Sequence, residues 1–179
     1  MRQDARANAA ISILDNFLVG HNLNSVLSIW AKNNRYAGSS DRESIRNIVF
    51  DVLRVKKTLT SVLEKEKQLI NGRALVFLHS VFYALNLDDI FTGREYGPKK
   101  LTIFEKEFSK ISKENINGCF GITDNIPDFL IAEFKRSLGR KFKHAMRLLE
   151  KRAPISIRVN PLKSDISSTL ENLSSEGIE

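Results

Sequence analysis

Residues 73–85 read RALVFLHSVFYAL, with Asn86 after them. Wound as a helix, this run is apolar on nearly every side, and such a helix is stable only where neighbours enclose it. It is the expected core helix, and the rest of the chain has to cover it.

Toward the N-terminus the cover is helical. Ala7, Ala10, Ile11, Leu14, Phe17 and Leu18 recur at spacings of three and four within residues 4–19, the period of a helix with one apolar face, and Gly20 ends it. Val26, Leu27 and Trp30 repeat that spacing within residues 24–33, with Asn22 or Asn24 as N-cap, so the two stretches form a helical hairpin. Ser40-Asp41-Arg42-Glu43 reads as a capping box leading into Ile45, Ile48, Val49, Val52 and Leu53. Thr58, Leu59, Val62 and Leu63 continue that helix or start a short successor.

Toward the C-terminus, residues 88–100 contain Gly93, Gly97 and Pro98 and predict a loop with one helical turn at Asp89-Ile90-Phe91. Residues 101–111 resume helical spacing, and a Gly/Asn-rich connection fills 114–125. Pro127 suits a first helical position, with Asp128 beside it favouring the positive end of the helix dipole. That helix runs to Leu138, Gly139 supplies a left-handed turn, and residues 141–151 form a basic amphipathic helix stopped by Pro154.

Beyond Pro154 the period changes. Ile155-Ser156-Ile157-Arg158-Val159-Asn160 alternates apolar and polar with β-branched residues, which predicts a half-buried strand closed by Pro161. Ser164 is the expected N-cap of a helix carrying Ile166, Thr169, Leu170 and Leu173 and ending at Gly177. One strand and one helix cannot bury their own apolar faces, so residues 154–179 read as the start of an α/β subdomain whose partner strands lie beyond this chain. The fold class is mainly α, a helical bundle over residues 1–122, a basic helical linker over 123–153, and then the first strand and helix of the α/β part.

The 179 residues carry 28 Lys+Arg against 21 Asp+Glu, and the excess of +7 is concentrated. Between Ala132 and Arg152 eight basic residues face two acids, and between Arg42 and Lys57 five face two. Clustered cations attract polyanions because each neutralised phosphate releases condensed counterions, while the bland reading is a solvated helix face. Arg42, Arg46 and Arg54 recur on one helix face at spacings that reach successive phosphates, or else pair with Glu43 and Asp51. Asp41-Arg42 reads equally as a structural pair joining two helices. Lys135, Arg136, Arg140, Lys141 and Lys143 surround the Gly139 turn, and Arg158 and Asn160 share the polar face of the expected strand. These ten are the candidate RNA-contacting residues. Trp30 and the Phe residues sit mostly at core spacing, and His79 is expected as a hydrogen-bonded core residue. The single Cys119 cannot form an internal disulfide, no Cys/His cluster has zinc-ligand spacing, and no apolar run approaches a membrane span, so a cytoplasmic protein is expected.

Three stretches carry a resemblance. They are Arg35-Tyr36-Ala37-Gly38-Ser39-Ser40-Asp41-Arg42 with Arg46, Val49, Leu53 and Arg54; Pro127-Asp128-Phe129-Leu130 through Leu138-Gly139; and Arg152-Ala153-Pro154-Ile155-Ser156-Ile157-Arg158-Val159-Asn160-Pro161-Leu162-Lys163. With Leu173-Ser174-Ser175-Glu176-Gly177-Ile178 closing the last, they resemble the N-terminal region of the RsmB/Nol1/Nop2/Sun RNA (cytosine-5) methyltransferases. The first stretch is similar to the NusB-like helical RNA-binding domain of the bacterial RsmB branch. The last is similar to the entry into the small α/β subdomain, where Arg158-Val159-Asn160 helps join that subdomain to the catalytic core.

The resemblance implies a parent enzyme that methylates ribosomal RNA, small-subunit 16S rRNA by the bacterial branch, using S-adenosylmethionine and two cysteines. Neither the Gly-rich cofactor turn nor a Pro-Cys or Thr-Cys context occurs here, and Cys119, in Asn117-Gly118-Cys119-Phe120-Gly121, is given no role. No catalytic, cofactor or metal residue is assigned. The expected partners are rRNA and the protein's own C-terminal methyltransferase domain, with no membrane and a monomeric state. A freestanding NusB-like antitermination factor and a helical protein-interaction module stay open as other readings.

Overall fold

The computed structural model describes residues 1–110 and 125–178, and the expectations for Cys119 and most of the 114–125 connection lie outside the described residues. The chain is mainly helical. Helices α1 (Gln3–Leu18), α2 (Leu23–Asn33), α3 (Ser39–Arg54), α4 (Lys56–Lys65), α5 (Gly72–Phe82) and α6 (Leu87–Ile90) are followed by α7, helical over residues 103–110. Then come α8 (Asp128–Leu138), a 3-10 turn (Gly139–Lys141), α9 (Phe142–Leu149) and α10 (Ile166–Ser175). Among the described residues no helix is long and apolar enough to cross a membrane.

The expected core helix is the observed one. Leu75, Val76, Phe77, Leu78 and Val81 of α5 are buried, as are His79 and Ser80. Helix α1 lies against α2, α3, α5 and α6, and its small Ala7, Ala9 and Ala10 let those neighbours come close. The closest approach is at Gly72, where an added Cβ would run into the Ile11 carbonyl oxygen. The Gly72 N–H donates to Asp15 Oδ1 at 2.6 Å, so a side chain of α1 satisfies the first turn of α5. Asp4 is buried at 3% exposure and accepts from Thr92 Oγ1 at 2.7 Å. That bond holds its carboxyl below the usual value against the upward push of burial, with further help from the Ala5 N–H and Arg2.

Helix starts differ from expectation at four places. Helix α3 begins at Ser39 after Gly38, without a side-chain cap, so the box at Ser40 and Glu43 does not form. Asp41 is drawn instead toward α1, accepting from the Met1 amino group at 2.9 Å and Arg6 Nη2 at 2.8 Å, so the Asp/Arg tie between helices uses Arg6, not Arg42. A capping box does exist at Thr102 and Glu105, where the Thr102 N–H donates to Glu105 Oε2 at 2.8 Å and the Glu105 N–H to Thr102 Oγ1 at 3.1 Å. Pro127 is the residue before α8, with an extended backbone, and Asp165 rather than Ser164 caps α10 by accepting from the Ser168 N–H at 2.9 Å.

A second, smaller apolar cluster joins Ile126 of the chain before α8 to Phe142 and Met146 of α9, with Leu130, Phe134 and Leu138 of α8 against it. Polar contacts dock it on the bundle. Lys57 pairs with Asp128 at 2.7 Å, Asn125 accepts from Thr58 and donates to Glu150, and Arg152 Nη2 reaches Asp51 Oδ2 at 2.6 Å.

The strand expected at residues 155–160 does not form. A strand exists through its ladder of paired N–H and C=O groups, and among the described residues no strand or bridge pairs with this segment. Ile155 is 90% exposed and Ile157 62%. Without a ladder to impose alternation, Arg158 lines the same open concavity as Ile155, Ile157, Leu170 and Leu173.

Candidate functional site

Two stripes of side chains face each other across a groove of ≈ 880 Å³ between α2 and α3. On α3, Arg42, Arg46 and Phe50 follow at intervals of four, which stacks them along one side of the helix. From α2 and the residue just past it come Asn24, Ser28, Ala31 and Arg35, with Lys32 beside them. Ile45, Leu27 and Trp30 make the floor, and the small Ser28 and Ala31 leave room above it. Lys32, Arg35, Arg42 and Arg46 are exposed, and among the described residues none of them is in an ion pair. Among the described residues no acid lines the groove. Four cations outside any ion pair beside apolar side chains give the groove a positive potential, complementary to an anion.

Arg54 stands apart from Arg42 and Arg46. It is half-buried, and its Nη1 donates to Asp51 Oδ1 at 2.6 Å. Burial pushes the Asp51 carboxyl upward, but hydrogen bonds from Arg152 and Arg54 outweigh it and hold the group below the usual value. Asp51 thus joins its own helix to the chain after α9. Nearby, His79 is 8% exposed and stacks at 4.5 Å on Tyr83, and contrary to expectation its Nε2 has no hydrogen-bond partner. Burial pushes its pKa down to about 4.

The second cationic surface is the α8–α9 turn. Gly139 takes φ +48°, which side chains rarely adopt, and so lets α8 turn sharply into α9. Arg140, Lys141 and Lys143 are exposed around that bend, and among the described residues none is in an ion pair. Lys135 sits 5.8 Å from the centre of the Phe142 ring, and Arg136 meets Glu133 at 2.5 Å in an exposed pair that holds it weakly. Arg158 lies with neither set, in the apolar concavity, and Asn160 Oδ1 is occupied by the Leu162 N–H at 3.0 Å.

The structure therefore splits the ten candidates among four places. It adds Lys32 and Arg35, whose relation to Arg42 and Arg46 is tertiary and leaves no period in the sequence. The Arg42–Arg46–Phe50 stripe was the signal that could have led there.

Among the described residues no group of His, Cys, Asp and Glu could hold a metal ion. Residues 126–179 match the family model of the Methyltr_RsmF/B-like, ferredoxin-like domain. This stretch is similar to a region of RsmB/F-type rRNA methyltransferases. No curated protein and no solved structure matches the chain.

Proposed function

We propose that the chain is the RNA-positioning part of an S-adenosylmethionine-dependent methyltransferase acting on cytosine C5 of small-subunit ribosomal RNA. The observation that carries the RNA reading is the α2–α3 groove, where Lys32, Arg35, Arg42 and Arg46 converge without an acid. The match over residues 126–179 supplies the enzyme class. In this reading the bundle around α1 and α5 is the NusB-like domain, and Arg140, Lys141 and Lys143 at the α8–α9 bend add a second grip on the RNA backbone.

The chain's own task is physical. Neutralising phosphates releases counterions, and holding the rRNA near a tethered catalytic domain raises the target's effective concentration there. The open concavity of ≈ 1390 Å³ beside α10 is where the remaining strands of a ferredoxin-like domain cover Ile155, Ile157, Leu170 and Leu173. The methyltransferase domain beyond them supplies the cofactor site and the nucleophile. The protein works as a monomer in the cytoplasm, where its substrate is made.

Binding of the chain to a small-subunit rRNA fragment at rising salt tests the proposal. Four phosphate contacts to single-stranded RNA give a log–log slope of about −3, and Arg42→Gln with Arg46→Gln together flatten it by about 1.4. No binding at low salt overturns the RNA reading.

A further inference from the structure

We infer that the α2–α3 groove takes unpaired RNA, with a nucleobase lying against the rings of Phe50 and Trp30 and the flanking phosphates on Arg42, Arg46 and Lys32. The inference rests on the RNA reading above and goes further, because that reading asks only for phosphate contacts.

Cations on an open surface suffice for a pure backbone binder, and what a base-stacking site adds to them is an accessible aromatic ring. Here the cations rim a concavity whose volume, ≈ 880 Å³, falls within the range of pockets that enclose a small organic group. Phe50 is 40% exposed on a helix whose core positions are already filled by Ile45, Val49 and Val52. Its ring continues the Arg42–Arg46 stripe. The order along that stripe is cation, cation, aromatic, so a ring for a base lies beside cations for the flanking phosphates. Asn24 and Ser28 across the groove are exposed and present polar atoms to a base edge. A duplex cannot stack on these rings, since its base faces are stacked inside and it presents phosphates, 2′-hydroxyls and base edges instead. An acidic peptide satisfies the cations but leaves the ring without a flat partner.

The chain has a single tryptophan, so Trp30 fluorescence reports the groove directly. The 179-residue chain is titrated with an unstructured oligoribonucleotide, a blunt RNA duplex of equal length and polyglutamate. The single strand is expected to quench Trp30 and to bind about tenfold more tightly than the duplex. Phe50→Ala loses about tenfold in single-strand affinity with duplex binding unchanged, and Phe50→Tyr, which keeps the ring, retains it. Equal binding of both RNAs without quenching overturns the inference and leaves the RNA reading standing. No binding of either RNA overturns both. Polyglutamate that quenches Trp30 and displaces the single strand overturns the inference in favour of an acidic protein partner.

Discussion

The bundle and the C-terminal segment use the same residue types to opposite effect. Leu14, Val49, Val52, Leu75 and Leu78 are each 0% exposed, whereas Ile155 is 90%, Leu162 94% and Leu170 59% exposed. The difference lies in connectivity, since α1 packs against α2, α3, α5 and α6, whereas among the described residues α10 packs closely against no other helix. An apolar residue stabilises a fold only to the extent that a neighbour removes it from water. The first region therefore buries its apolar side chains within itself, and the second leaves its own exposed among the described residues.

The largest effect expected tests that contrast directly. Leu78→Ala empties a fully enclosed site and costs about 2–5 kcal/mol, while Ile155→Ala stays within about 0.5 kcal/mol in the same denaturation experiment. Comparable losses would break the comparison, because they would mean that residue 155 is packed in solution.

Acid sharpens it next. His79 lies in the enclosed region, and its pKa falls to about 4 in the fold from an ordinary 6.5. Above pH 6.5 both folded and unfolded chains hold it neutral, so nothing is lost. As pH falls from 6.5 toward 4 only the unfolded chain takes up the proton, and stability drops by a total on the order of 3 kcal/mol. His79→Leu should flatten that window, and titration of the His79 ring by NMR should give a midpoint near 4. A variant that loses as much stability between pH 6.5 and pH 4 as the parent chain would contradict the assignment.

What could be read from the sequence follows the range of the forces concerned. The apolar run of α5, an Asn cap at Asn22 or Asn24 before α2 and the positive φ of Gly139 are settled within a few residues and were legible. The capping box was not, because Ser40-Asp41-Arg42-Glu43 and Thr102-Ile103-Phe104-Glu105 share one pattern. The first does not cap because α3 already begins at Ser39, which places Ser40 inside the helix. The candidate site divides in the same way. Arg42 and Arg46 were visible as a stripe, but Arg54 is tied to a residue three positions away that also binds Arg152, about a hundred residues on. The groove over Trp30 needs two helices, so no single-helix period announces it.

The smallest effect concerns the seam between the two regions, where Asp51 holds Arg152. Arg152 is 56% exposed, which limits the pair to about 0.5–1 kcal/mol despite the 2.6 Å contact. A double-mutant cycle of Asp51→Asn with Arg152→Gln should return a coupling of that size, and high salt should shrink it. Because the folded Asp51 carboxyl sits below its ordinary value of 3.8, the coupling is at full strength above that pH and fades as pH falls through the lowered value. This lies at the acid end of the His79 window, so the two losses separate on one pH series. Amide signals of α8 and α9 should shift in Asp51→Asn while those of the first turns of α1 stay in place. A coupling near zero would mean that Asn125 with Thr58, and Lys57 with Asp128, hold the seam without the Asp51 clasp.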